Sequence, residues 1–236
     1  EQENAEGTWQ GLENFNNNLI YTENIHAFYL MAGNEFNKVS LQGGLRGELS
    51  DIAVELKETN EVNNQLYFNL FPSAHLSYKF SPEKTVQLSY SYRLSRPEFR
   101  DLIPFSSFSD RRSQSTGNPN LRPEYTNSFE LGYLLNWETP SILSSADYRY
   151  RTGVIEEITV PVEDLDNPSQ TLSIEIPVNL ATENAYGLEF NFSWNPKDWW
   201  RFNTSANFYR ANTERQYEGT ELFSDTYTWS GRATSM

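Results

Sequence analysis

The chain contains no cysteine, which excludes disulfides and thiolate chemistry while leaving the compartment open. Histidine is scarce as well: His26 and His75 are the only two. Neither has a companion at i+2 or i+4, and no G-x-S-x-G or H-E-x-x-H pattern occurs, so the familiar hydrolase and zinc signatures are missing. Paired carboxylates such as Glu156 and Glu157 are adjacent, and on a strand they turn to opposite faces. No enzyme and no cofactor are expected. Positive charge is in the minority, 18 Lys and Arg against 32 Asp and Glu, for a net charge of -14. Such a surface repels phosphate backbones, so no nucleic-acid partner is expected. No apolar run reaches the roughly 20 residues of a transmembrane helix, and no segment of useful length carries a helical period. What the chain does have is aromatics, 15% of residues, in a sequence whose mean hydropathy is only -0.67.

Those aromatics fall in a period of two. In TVQLSYSYRLS, Val86, Leu88, Tyr90, Tyr92 and Leu94 share one face, and Gln87, Ser89, Ser91 and Arg93 share the other. SFELGYLLNW sets Phe129, Leu131, Tyr133, Leu135 and Trp137 against Glu130, Gly132 and Asn136, and AYGLEFNFSW sets Tyr186, Leu188, Phe190, Phe192 and Trp194 against Glu189 and Asn191. KVSLQGGLRGEL places Leu41, Leu45 and Leu49 opposite Gln42, Arg46 and Glu48. This is strand periodicity, and it predicts an all-β chain of about nine strands.

The connections alternate in length. GNEF, SPEK, ETPS and NPKD are tight turns. Between them come longer segments, read here as loops over 50–66, 96–124, 151–183 and 211–224. In an antiparallel up-and-down meander this sorts short turns to one end and long loops to the other, as in outer-membrane barrels with short periplasmic turns and long extracellular loops. Phe80, Trp137, Trp194, Trp199 and Trp200 stand at strand ends beside the short turns, where an interfacial girdle belongs. Mid-strand polar residues such as Gln87, Glu130, Glu189 and Asn191 suit a wet lumen. The alternative is a soluble secreted β-sandwich, a glycan-binding module whose aromatic face lies in a core.

Three stretches carry a resemblance: FNLFPSAHLSYKF, then LSYSYRLSRPEFRDLIPF, then TGNPNLRPEYTNSFELGY. In order and spacing they resemble the barrel of TonB-dependent outer-membrane receptors, and most of all the Bacteroidetes outer-membrane β-barrel family. The match runs in register from Tyr21 to Met236 and is weaker before that. The resemblance implies a receptor of about 22 strands around a separate plug, of which residues 1–236 supply a middle part of the wall. It also implies uptake of a scarce nutrient (siderophore, cobalamin, oligosaccharide or peptide) across the bacterial outer membrane. The implied partners are outer-membrane lipid, TonB acting through a plug these residues do not include, and a surface lipoprotein. The closing TYTWSGRATSM breaks off in mid-pattern, which fits a middle piece.

Three sets of residues are candidates for function. Arg93, Arg96, Arg100, Arg111 and Arg112 gather around the segment after Ser95; they could hold an anionic ligand group or lipopolysaccharide phosphates, or pair with Glu98, Asp101, Asp110 and Glu124 to fix the loop. Phe99, Phe105 and Phe108 in the same segment either pack it into the lumen or line a ligand funnel. Glu163, Asp164 and Asp166 offer hard oxygen ligands and form a weak calcium candidate, but VEDLDNP lacks a complete calcium-loop pattern and reads better as a solvated acidic loop. Finally, GNPNLRPE, with Gly117, Asn118, Pro119, Leu121, Pro123 and Glu124, reads as a stiff exit from the long loop that sets the register of the strand after it.

Overall fold

The computed structural model describes residues 2–3, 9–10, 18–57, 60–104, 107–110, 113–137, 140–163, 171–217 and 219–236. Among them the strands are β1 (Gln2–Glu3), β2 (Trp9–Gln10), β3 (Leu19–Phe36), β4 (Val39–Leu56), β5 (Glu61–Ser81), β6 (Lys84–Ser95), β7 (Ser107–Asp110), β8 (Ser113–Ser115), β9 (Glu124–Asn136), β10 (Ser141–Glu163), β11 (Thr171–Lys197), β12 (Trp200–Tyr217) and β13 (Thr220–Ser235). One short helix, α1 (Phe99–Leu102), interrupts them. β1 and β2 pair only with each other, and the rest form a single sheet. Its main path is an antiparallel meander in chain order, β3-β4-β5-β6-β9-β10-β11-β12-β13, with β8 added to β11 in parallel.

The two faces of the sheet are chemically opposite, because neighbouring registers keep like with like. Across the strands, Leu76, Leu88, Leu131, Ala146, Leu188, Phe208 and Trp229 align on one face. On the other, His75, Ser89, Glu130 and Asp147 align. The segment between β6 and β9 folds over the polar face, which is therefore the inner one. The apolar face is open: Leu88 is 48% exposed, and no other described element covers it. A two-sheet sandwich with these aromatics in a core is thus not what forms. An uncovered apolar face of this extent has hydrocarbon as its natural neighbour.

Three of the four expected long loops are shorter than their sequences suggest. β4 runs on to Leu56 and β5 starts at Glu61, so most of 50–66 is strand. The runs VIEEITV and TLSIEIPV continue β10 and β11, and β12 and β13 approach each other to within Gly219 and residue 218. These extensions lose the pattern that marks the strands below. In β4 the inner residues Ile52 and Val54 are buried while Asp51 is exposed, reversing the apolar-out arrangement. In β10 the register shifts between Thr152 and Ile155, with Gly153 at a φ of 66°, and a bulge of this kind breaks strict alternation. Of the four, the segment from Arg96 to Pro123 alone leaves the meander among the described residues, carrying α1, β7 and β8.

Candidate functional site

That loop sits in a notch of the wall. β5 and β6 pair only from Ser81 and Lys84 up to Ser73 and Ser91. Above this point β5 pairs with β4 alone, and Tyr92–Ser95 pairs with β9 alone. Pro72 stands at the break, with no N–H to offer a neighbouring strand. β6 then leads into Arg96 and α1, and the chain folds back over the inner face of β4 and β5.

The buried apolar side chains of the described residues are Ile52, Val54, Leu102, Leu121, Val154 and Ala181. Ile52, Val54, Leu102 and Leu121 meet under the loop with Tyr21, Pro97 and Pro123 around a void too small for more than about one water. Leu121 is the most covered of the six, at 2% exposure. Among the described residues the largest buried apolar cluster is therefore the underside of this loop.

Hydrogen bonds pin the loop on both flanks. From β5, Gln65 Nε2 donates to the carbonyls of Pro119 (3.2 Å) and Leu121 (2.9 Å), and Asn63 Nδ2 donates to Asn120 Oδ1 at 2.7 Å. From β11, Asn179 Oδ1 accepts from the Arg122 N–H at 2.8 Å, and its Nδ2 donates to the carbonyls of Arg122 (2.8 Å) and Gly153 (2.7 Å). Asn118 Nδ2 donates to the Pro177 carbonyl at 3.0 Å, while its Oδ1 accepts from the Asn120 N–H at 3.0 Å. The Gly117 N–H donates to the Ile103 carbonyl at 2.8 Å. A Cβ at Gly117 would lie 2.6 Å from both the Asp101 and Ile103 carbonyl oxygens, so the close approach admits only glycine. Glu124 Oε1 accepts from the Ile155 N–H at 2.8 Å, and its other oxygen lies 3.8 Å from Arg151. GNPNLRPE is thus a clasp between β5 and the β10–β11 pair, with Pro119 and Pro123 giving up no donor that the clasp uses.

Arg96 anchors the other end of the loop. Its guanidinium reaches Glu48 on β4, donates to Ser50 Oγ at 2.8 Å, and lies 3.2 Å from Glu23 on β3. Glu48 is 5% exposed and also receives Arg46 at 2.7 Å. Burial works most strongly against the charge on Arg96, but Glu48 and Tyr67 together, through hydrogen bonds and charge, outweigh it and raise its pKa above that of an ordinary arginine. Among the described arginines of the cluster, Arg100 alone pairs with an expected loop partner, Glu98 at 3.5 Å, and that pair is exposed and of little energetic weight. Arg96 ties the loop to the wall instead. Phe99 meets Tyr21 edge-on at 5.5 Å. Arg111, Arg112 and Phe105, and the side chain of Phe108, lie outside the described residues. So do Asp164, Asp166 and the side chain of Glu163.

At the opposite end, Phe80, Trp137, Trp194, Trp199 and Trp200 flank tight turns and are exposed, Trp199 at 78%. Trp200 packs against Trp194 at 6.0 Å and Trp199 at 6.3 Å. A second aromatic row, absent from the sequence-based expectations, crosses the outer face higher up. Tyr90, Phe129, Tyr148, Tyr186, Arg210 and Tyr227 are successive cross-strand partners. Ring centroids are 4.8 Å apart for Tyr90–Phe129 and 5.1 Å for Tyr148–Tyr186, and Arg210 lies 5.2 Å over Tyr227. Along β11, Tyr186 to Trp194 is about 26 Å at ~3.3 Å per residue, or on the order of 20 Å of height once strand tilt is allowed for. The signal was present in the sequence: Phe129 precedes Trp137 by the same interval as Tyr186 precedes Trp194.

A twisted antiparallel wall, apolar outside between two aromatic rows and polar inside, defines a membrane β-barrel. The family model described as the outer membrane protein beta-barrel family matches residues 1–236, and the chain belongs to that family and to the bacterial outer membrane. No curated protein sequence matches it. Among solved structures it resembles the FrpB iron transporter from Neisseria meningitidis (F3-3 variant), with a TM-score of 0.56 and 13% identity over 90% of this chain and 33% of that one. It also resembles a mutant of the ferric enterobactin receptor from Pseudomonas aeruginosa, with a TM-score of 0.58 and 15% identity over 86% of this chain and 32% of that one. The alcaligin outer-membrane receptor FauA from Bordetella pertussis gives 0.51 and 13% over 91% and 39%. At these identities the likeness is one of fold, and this chain spans about a third of the length of such proteins.

Proposed function

We propose that the chain is a middle part of the wall of a TonB-dependent receptor that takes up a scarce nutrient through the outer membrane, of the kind found in Bacteroidetes. The observation that carries this is the loop over 96–123, which folds inward over a polar inner face at the outer mouth, where an incoming solute passes. A wall that served only as membrane structure gains nothing from narrowing its own entrance. The lipid-facing girdle is Phe80, Trp137, Trp194, Trp199 and Trp200 at the turn end, answered by the Tyr90–Tyr227 row. The wall leaves energy coupling to a plug outside these residues, through which TonB acts, and the projecting β10–β11 pair is a surface on which a lipoprotein lid could rest. Siderophore, cobalamin, oligosaccharide and peptide are the ligand classes for this architecture.

The test is deletion of the protein that carries this chain, followed by growth and labelled-nutrient uptake under limitation for each ligand class in turn. The expected result is one selective uptake defect, reproduced by removing TonB. Normal uptake of every class, or uptake that persists without TonB, contradicts the reading.

A further inference from the structure

The notch between β5 and β6 leaves a cavity of about 510 Å³ on the inner side of the wall. Its lining includes Arg46, Arg93, Arg96, Phe71, Tyr92 and Ser91. Two of these arginines are committed. Arg96 is held by Glu48 and Glu23, and Arg46 shares Glu48 while staying half exposed. Arg93 makes no hydrogen bond or ion pair with any described residue, although it is exposed beside this cavity. What sets it apart from other unpaired cations such as Lys79, Lys84 and Arg232 is its place beside two further arginines. Phe71 and Tyr92, from the two strands that part here, bring their rings to 6.0 Å at a 34° tilt, and both border the cavity that Arg93 lines.

Three other hollows of the inner face differ: the one across β9 to β13 near the turn end has Arg232 and no carboxylate, and the other two are acidic. The one around His75, Gln87 and Glu130 has a carboxylate and no Lys or Arg. The one between α1 and the β10–β11 pair sets Arg100 against Asp101, Glu157 and Glu175. In the notch the balance is reversed: three arginines face the single carboxylate of Glu48.

We propose that the notch cavity binds an organic anion carried on a ring, its phosphate or carboxylate held by Arg93 with help from Arg46, and its ring laid against Phe71 and Tyr92. A planar guanidinium receives either oxyanion with two parallel hydrogen bonds, and the rings add contact area that tolerates varied ligand bodies. The assignment narrows the uptake reading to anionic solutes and depends on that reading for its biological meaning, but not for its test.

The test is calorimetric titration of the protein that carries this chain, purified in detergent micelles, with phenyl phosphate and benzoate, and with inorganic phosphate and benzyl alcohol as partial probes. Phenyl phosphate or benzoate is expected to bind, inorganic phosphate more weakly, and benzyl alcohol not at all. Arg93→Gln is expected to weaken binding by about tenfold or more, the loss of one charge-assisted contact, and Phe71→Leu by several-fold. Arg93 has no fold contact to lose, so the thermal transition of its variant stays at the wild-type temperature, and Arg232→Gln, at the turn end, leaves the affinity unchanged. Absence of binding by both ring anions at about 10 mM, or equal affinity in wild type and Arg93→Gln, overturns the site. A silent titration alongside intact TonB-dependent uptake removes the site alone, whereas binding without any uptake defect removes the transport reading alone.

Discussion

The two ends of this sheet are made from the same strands yet are stabilised in opposite ways. At the turn end, large aromatics stand exposed beside tight turns and no buried apolar cluster forms on the inner face among the described residues. At the mouth, exposed aromatics give way to a small dry core of Ile52, Val54, Leu102 and Leu121, closed by side-chain amides and one buried ion cluster. The difference lies in what each end meets. The turn end sits at the edge of the hydrocarbon, where an indole is stable half in lipid and half in water. The mouth rises beyond the lipid, so its wall must be held by protein contacts of its own. The loop supplies them, and in doing so it covers part of the polar inner face.

That contrast can be broken by substitutions graded in cost. Arg96→Ala leaves the buried Glu48 with Arg46 alone and removes the ties to Glu23 and Ser50, and the expected loss is about 4 kcal/mol of mouth stability. Urea unfolding monitored by loop protection measures it, and adding Glu48→Gln should restore most of the loss. Recovery of none of it places the cost outside the pair. Leu121→Ala opens a cavity in the dry core and should cost about 3 kcal/mol, with amide exchange at Gly117 and Asn118 accelerating while strand amides of β9 keep their protection. Uniform acceleration along β9 contradicts an independently docked loop.

Asn179→Ala removes three hydrogen bonds, two of them to Arg122 and one to Gly153, for an expected loss of about 2 kcal/mol. Asn179→Asp keeps the acceptor for the Arg122 N–H and should fall between the two. An aspartate as damaging as alanine rules out the acceptor as a contributor. The smallest effect belongs to the turn end: Trp199→Ala, with no buried core to disturb, should change folding stability by under about 1 kcal/mol. It should also reduce the shift of tryptophan emission on transfer from water to lipid. A loss as large as that of Leu121→Ala would erase the contrast between the ends.

What could be read from the sequence follows the same division. Within the lipid band each strand has water on one face and hydrocarbon on the other, and that imposes the alternation seen from Val86 to Leu94 and from Tyr186 to Trp194. Above the band that rule no longer applies. Asn63, Asn64 and Gln65 are consecutive amides because one face bonds the loop and the other meets water, so β5 passes for a loop there. The clasp itself was visible as GNPNLRPE, but its partners were not. Asn179 lies 57 residues from Arg122, and nothing local marks an asparagine in PVNLAT as a clasp. Arg96 was picked out by its place in a cluster of arginines, yet its partners Glu23 and Glu48 are brought to it only by the pairing of β3 with β4.

The measurement that bears most directly on this account uses the absence of cysteine. Single-cysteine variants from position 185 to 194 on β11, each carrying a nitroxide label, are reconstituted into lipid vesicles. Accessibility to oxygen, which partitions into lipid, is then compared with accessibility to a water-soluble nickel chelate. A lipid-facing wall predicts a period of two, with oxygen favoured at 186, 188, 190 and 192 and nickel favoured at 187, 189 and 191. Uniform nickel access along the strand, or shielding of 188 and 190 from both reagents, would mean that the apolar face is covered by protein and that this chain is not a membrane wall.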